Sequence, residues 1–162
     1  MIDVEVEAPS WTEALPDAEA LTLAAAQAAL AGHAGESDPA VTILLTDDET
    51  VRDLNARFRA QDKATNVLSF PAPANPEHFL GDIAVAYGVC AREAAEQGKA
   101  VAHHLQHLVA HGVLHLLGYD HMSDDEAEAM EGLERIILAG LGVPDPYAAG
   151  PHVGGEGDHE RP

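Results

Sequence analysis

Three histidines around a glycine carry the most specific chemistry in this chain: His111, His115 and His121, in the run HGVLHLLGYDH. His111 and His115 are four residues apart, so on a helix they share a face one turn apart, where both imidazoles can reach a single metal ion. Gly118 predicts the end of that helix, because glycine takes positive φ without a steric cost. The chain can then double back and bring His121 to the same ion as a third nitrogen ligand. Three histidines leave one tetrahedral position open, the arrangement that lowers the pKa of a bound water to about 7 and suits hydrolysis better than scaffolding. The expectation is one zinc ion per chain at an open site. The alternatives are helix-surface histidines, or a closed structural zinc with a fourth protein ligand. Asp120, the nearest carboxylate, reads as a turn residue, with a role as orienter, base or occasional ligand as the other reading.

The spacing resembles the H-x-x-x-H-x-x-G-x-x-H of the metzincin proteases, glycine included, but Gly112 stands where their general-base glutamate would stand. That exchange weighs against a peptidase. His107 and His111 are also four apart, so spacing alone does not single out one pair. Gly118 and His121 decide for His111 and His115, since a third ligand needs a helix that ends just after the second. His103, His104 and His107 read as surface histidines.

The elements that must position these groups follow from composition and periodicity. With 162 residues, 46% of them apolar, the chain has enough material for one domain with a real core and too little for two. No run approaches the roughly 18 apolar residues of a membrane span, and the first residues carry no basic leader, so a cytoplasmic protein without a membrane partner is expected. Cys90 is the only cysteine, which excludes an internal disulfide and reads as a small buried residue. The formal charge of −20 argues against nucleic acid. Placement matters more than the sum, however. Arg52, Arg57, Arg59 and Lys63 make up four of the eight basic residues, against only Asp53 and Asp62 in the same window. A local positive patch on an acidic protein is one reading of that stretch, and an exposed helix with solvated charges is the other.

Ile2, Val4 and Val6 alternate with acidic residues as in an edge strand. An alanine-rich helix is predicted from Asp17 to about Ala31, broken by residues 32–39, and Trp11 ahead of it reads as a packing residue. Val41–Leu45 is a buried strand; Thr46 and Glu49 then form a capping box that opens a helix with Val51, Leu54 and Phe58 inward. Thr65–Phe70 and Leu80–Ala86 give two more strands, Tyr87–Gln97 a helix, and Val101–Leu117 the helix of the first two ligands. On that helix Leu105, Val109, Gly112 and Leu116 face one way and the histidines another. Ser123 and Glu126 cap a last helix whose inner face is Met130, Leu133, Ile137 and Leu141. Residues 1–147 are expected to form the domain and 148–162 a disordered acidic tail.

With these motifs in place, the sequence resembles the YbeY endoribonuclease family of bacterial ribosomal RNA maturation factors. The resemblance covers about Val41 to Tyr147 and rests on LNARFRAQDKATNVLSFP from Leu54, LGDIAVA from Leu80, HGVLHLLGYDH from His111, and the DDEAEAMEGLE that follows. The histidine run and TNVLSFP are the specific pieces; the other two are weak alone. The depth of negative charge and the acidic tail depart from the family pattern. The resemblance implies an α+β domain, a four-stranded mixed and mostly parallel sheet with surrounding helices and a metzincin-like three-histidine site, and the four predicted strands agree. It places the family's zinc ligands on His111, His115 and His121 and its functional arginine on Arg59. It implies a zinc-dependent, single-strand-specific endoribonuclease acting in 16S ribosomal RNA 3′-end maturation, ribosome biogenesis and late 70S quality control. Its implied partners are single-stranded or ribosomal RNA, a small-subunit ribosomal protein and a ribosome assembly GTPase.

In that reading zinc polarises a phosphate oxygen, activates water, or does both, while Arg59 neutralises phosphate charge through its planar fork. Arg52 and Lys63 join it as RNA contacts, and no general base is assigned. The plain alternative for Arg59 is an ion pair with one of the 28 carboxylates. The competing classes are a metallopeptidase-like hydrolase and a non-enzymatic assembly factor with a structural zinc.

Overall fold

Strict alternation in the strands divides the core into two layers. The structure, a computed structural model, describes residues 1–31, 39–120 and 122–147. Strands β1 (Ile2–Val6), β2 (Ala40–Thr46), β3 (Val67–Pro71) and β4 (Phe79–Ala86) form one sheet in the order β1-β2-β4-β3. β1 pairs with β2 and β2 with β4 in parallel, while β3 runs antiparallel to β4, so the sheet is mixed and mostly parallel as expected. β1 lies at one edge and β3 at the other. On one face Val41, Ile43 and Leu45 of β2 and Ile83 and Val85 of β4 form the main core. On the other face Leu68, Ala84 and Ala86 pack a smaller cluster. Period-two alternation makes this division obligatory, because neighbours along a strand point to opposite faces.

The helices are α1 (Pro9–Ala14), α2 (Ala18–Leu30), α3 (Asp48–Arg59), α4 (Tyr87–Gln97), α5 (Val101–Leu116) and α6 (Asp124–Gly140). The main core is completed by α2 and α5, whose Ala25, Ala29, Leu105, Val109 and Val113 are buried against the strands. Val51 of α3 closes the smaller cluster with Leu54 half-buried beside it, whereas Phe58, expected inward, is 65% exposed at the end of the helix. α6 packs on α5. Helix α1, with a single buried side chain, is too short to show a period in sequence. That side chain is Trp11, fully buried with its Nε1 donating to the Thr46 carbonyl at 3.0 Å, the packing role expected of it. Cys90 is buried as expected, and burial pushes its thiol pKa up.

One predicted cap is corrected. Asp47, not Thr46, caps α3: its Oδ1 accepts from the Thr50 N–H at 2.8 Å. Thr46 is still the last residue of β2, and its hydroxyl donates to Glu7 Oε1 across the strand ends. The second cap stands, with Ser123 Oγ accepting from the Glu126 N–H at 3.1 Å. Residues 32–38 and the expected tail, 148–162, lie outside the described residues.

Candidate active site

Helix α5 runs through the middle of the molecule, and this changes the reading of its histidines. A helix covered by a sheet and by three other helices has little solvent-facing surface, so its polar side chains must find partners inside. Of the three histidines expected at the surface, His104 is buried, while His103 and His107 are half-buried. His104 is 3% exposed, and its Nε2 lies 2.8 Å from Glu93 Oε1 of α4, an oxygen that also accepts from Asn66 Nδ2. Burial holds the His104 pKa below its ordinary value, outweighing the carboxylate that would raise it. The pair is therefore a neutral imidazole donating to Glu93 at pH 7.

His107 and His111 share a second carboxylate. Glu134 of α6 is fully buried; its Oε1 lies 2.7 Å from His107 Nε2 and its Oε2 2.8 Å from His111 Nδ1. The Tyr147 hydroxyl donates to the same Oε1, in a short contact, and lies 3.2 Å from His107 Nε2. Burial alone would raise the Glu134 carboxyl, but electrostatic attraction to His111 and the hydrogen bonds from both histidines outweigh it and hold the group well below the usual carboxylate range. Burial, with Glu134 beside it, pushes the Tyr147 phenol up, so it remains a donor.

The ionised carboxylate only accepts, so the facing nitrogens carry the protons: Nδ1 of His111 and Nε2 of His107. His111 thus keeps its lone pair on Nε2. This is the bond by which a carboxylate ordinarily orients a metal-ligating histidine, so the donor set fits a zinc ion. His115 follows one turn on, with its ring 6.3 Å from that of His111 and the two planes only 17° apart. Both are half-buried at the end of α5, which gives them the access that His104 lacks.

The helix stops where the site needs it to. Gly118 has φ +107°, the Gly118 N–H donates to the His115 carbonyl at 3.0 Å, and the Tyr119 N–H donates to Leu114 at 3.1 Å. These are the two bonds of a Schellman ending, with the glycine at the position that demands positive φ. Asp120 is half-buried in the chain beyond the turn. His121, the third expected ligand, lies outside the described residues. Among the described residues no three His, Cys, Asp or Glu side chains group as a metal site; two of the expected ligands are therefore placed and the third is not.

Gly112 is explained by packing. A Cβ there would sit 3.1 Å from Ile83 Cδ1 and 3.2 Å from Ser69 Oγ, closer than side chains comfortably approach. The helix rests on the sheet at this point, and Ser69 Oγ donates to the Gly112 carbonyl at 3.3 Å. A metzincin glutamate here would have to push Ile83 and Ser69 aside by a few tenths of an ångström.

Arg59 reaches the same place from the other side. It is the last residue of α3, after which Ala60 turns into the left-handed region at φ 57°. Its Nη2 donates to the Ser69 carbonyl at 2.6 Å and its guanidinium lies 5.4 Å from the Phe70 ring centroid. Ser69 therefore joins Arg59 to the turn of α5 that bears His111. Among the described residues no carboxylate lies at ion-pair distance from Arg59, so the plain ion-pair reading fails. Arg52 differs: it is held by Asp62 through two bonds, 2.8 and 3.3 Å, on the exposed side of α3. Arg57 pairs with Asp53 at 3.3 Å. Lys63 follows in the loop, its carbonyl accepting from Asn55 Nδ2.

Glu134, Glu93, Ser69 and Tyr147 were not singled out from sequence. The buried stripe of α6 is Met130, Glu134 and Leu138, with Leu133, Ile137 and Leu141, expected as its inner face, half-buried beside it; the spacing of four from Met130 and Leu138 is the signal that marks Glu134. A carboxylate on the inward stripe of a helix needs a buried partner. For Ser69, whose role is a carbonyl and a hydroxyl at a sheet edge, no comparable signal exists.

The matches to known proteins bear on this arrangement. The family described as Endoribonuclease YbeY matches residues 5–142. Endoribonuclease YbeY of Azorhizobium caulinodans is 54% identical over 153 residues, covering 91% of this chain and 96% of that protein. The protein of the same name from Rhodopseudomonas palustris strain BisB18 is 53% identical over 154 residues, covering 90% and 91%. The solution structure of a Thermotoga maritima protein matches the fold with a TM-score of 0.55 at 25% identity, covering 87% of this chain and 91% of that one. A family match over most of the chain, with relatives more than half identical across nearly their full length, shows that the chain belongs to the YbeY endoribonuclease family and is an RNA-hydrolysing enzyme.

Proposed function

We propose that this chain is a zinc-dependent, single-strand-specific endoribonuclease that matures the 3′ end of 16S ribosomal RNA and takes part in ribosome biogenesis and late 70S quality control. His111, His115 and His121 would hold one zinc ion in a metzincin-like arrangement. The observation that carries the reading is the buried Glu134 carboxylate on Nδ1 of His111, with His115 one turn later and α5 ending at Gly118. When bound, the ion supplies Lewis-acid activation of water or of a phosphoryl oxygen.

The chain's own residues supply the rest. Arg59 keeps its charge for a phosphate: its hydrogen bond to the Ser69 carbonyl and the Phe70 ring fix its guanidinium, and among the described residues no carboxylate neutralises it and its Nε makes no hydrogen bond. The planar fork can bond two phosphate oxygens at once and stabilise charge that grows as the phosphodiester is attacked. Arg52 and Lys63 would contact flanking phosphates, Arg52 by exchanging Asp62 for RNA. The exposed Phe58, edge-on to Phe70 at 5.7 Å, offers an unstacked base a ring close to Arg59. Gly112 supplies no base, and a side chain there would crowd Ile83 and Ser69, which removes support from a peptidase reading.

Within the cell the partners would be ribosomal RNA, a small-subunit ribosomal protein and an assembly GTPase, in the cytoplasm. Among the described residues no helix is long and apolar enough to cross a membrane. The test is cleavage of single-stranded RNA, duplex RNA and casein by the full chain, with and without a chelator. Cutting of single-stranded RNA alone, lost with chelator and restored by zinc, is expected; chelator-insensitive cutting would remove zinc from the mechanism.

A further inference from the structure

The carboxylate behind the proposed ligands does more than fill space. Glu134 comes from the inward stripe of α6, between Met130 and Leu138, and has no exposure to solvent. A carboxylate buried that completely is stable only if its oxygens are paired, and here both are. Oε2 faces His111 Nδ1 at 2.8 Å; Oε1 faces His107 Nε2 at 2.7 Å and takes the Tyr147 hydroxyl as well. Because the group accepts and never donates, it decides which nitrogen of each ring carries the proton.

Spacing leaves the choice of ligands open, since His107 and His111 stand in the same relation as His111 and His115. The two rings of the first pair are set at 82°, those of the second at 17°. Glu134 bridges the first pair. On His107 it occupies Nε2, the outer nitrogen that a helical histidine would extend to an ion. On His111 it occupies Nδ1, the inner nitrogen.

We propose that Glu134 is a positioning residue that selects the ligand set of the metal centre, committing His111 to coordinate through Nε2 and withholding His107 from the ion. The inference rests on the zinc reading above and deepens it. Glu134 acts through His111 and touches neither the ion nor RNA. Tyr147, by donating to Oε1, keeps the carboxylate turned so that Oε2 stays on His111. The segment that carries Tyr147 is tied down in turn, with Asp145 bound to Arg135 and Arg135 over the Tyr147 ring.

Two measurements on the full-length, zinc-loaded protein test this. Nitrogen-15 NMR of the wild-type histidine rings should show His111 protonated at Nδ1 and metal-shifted at Nε2, and His107 protonated at Nε2 with no metal shift. Coordination through Nδ1 of His111, or a metal-shifted His107, overturns the proposal, and neither reading requires a variant to fold. Zinc affinity, measured by competition with a chromophoric chelator, should fall about 10- to 100-fold in Glu134→Gln. Tyr147→Phe, which spares both histidine bonds, should lose far less. Circular dichroism during thermal unfolding controls for folding. A folded Glu134→Gln protein with wild-type affinity overturns this proposal and leaves the zinc reading intact, whereas wild-type protein that takes up no zinc overturns both.

Discussion

Arg59 separates an RNA-cutting site from a merely structural one. Lysine keeps its charge but not its fork, its hold on the Ser69 carbonyl or its place over Phe70. Arg59→Lys should therefore slow cleavage of single-stranded RNA by about 100-fold, the usual loss for one transition-state donor, with thermal unfolding as the control. A stable Arg59→Ala protein cutting at the wild-type rate would take the arginine out of the mechanism. Gly112 tests the protease resemblance in the same way. Gly112→Glu, which restores the metzincin pattern, forces a charged side chain against Ile83 and Ser69 and should cost on the order of 3 kcal/mol in urea unfolding, with no gain in peptidase activity. His104 gives a pH signature. Its folded pKa is depressed while the unfolded chain titrates near about 6.5, so below that pH the unfolded state binds more protons and stability falls as pH drops. His104→Gln should flatten that acid-side slope between about pH 7 and 5; an unchanged slope would mean that the ring takes up its proton equally in the folded and unfolded protein.

At the scale of elements, the end of α5 is the joint on which the site depends. Among the described residues a side chain at position 118 meets no neighbour, so Gly118→Ala reads the backbone cost of positive φ, about 1 kcal/mol. Zinc affinity should fall further than stability does, because the turn that carries the chain toward His121 must change. Equal affinity in a destabilised variant would show the turn to be dispensable. This joint was legible in sequence: a glycine just after an i, i+4 histidine pair has one simple structural meaning, and α5 does end there. The four strands were legible for a similar reason, since alternation and β-branched runs are local signals. The histidine partners were not, because Glu93 and Glu134 arrive from α4 and α6 and nothing in the spacing of α5 announces them. The two faces read for α5 are present, with His103, His107, His111 and His115 half-buried along one line and Leu105, Val109, Gly112 and Leu116 buried; His104 falls on the buried side, where its Nε2 is paired with Glu93 of α4. The cap of α3 moved by one residue because β2 extends through Thr46 and engages its hydroxyl, leaving Asp47 to cap.

At the scale of the whole molecule, a chain of charge −20 must bind a polyanion, and the ion pairs on α3 show how little positive charge it offers. Arg57 is matched by Asp53 and Arg52 by Asp62, in both cases with more than half of each side chain exposed. Two salt effects then oppose each other. Counterion release on phosphate contact weakens binding as salt rises, with a slope of about 0.7 per contact for single strands, while screening of the acidic surface relieves repulsion and strengthens it. The wild-type protein should accordingly show a shallow salt dependence. Asp62→Asn removes one repelling charge and releases Arg52 without touching the histidines or Arg59. Affinity for single-stranded RNA, followed by fluorescence anisotropy in metal-free protein so that no cleavage intervenes, should rise at low salt, and its salt dependence should steepen by about one phosphate contact. Arg52→Ala in the wild-type background should weaken binding modestly, because it removes that contact and leaves the Asp62 carboxylate unpaired, and in the Asp62→Asn background it should erase the gain. If Asp62→Asn leaves both affinity and slope unchanged, Arg52 lies off the RNA path and the cationic surface narrows to Arg59 and Lys63.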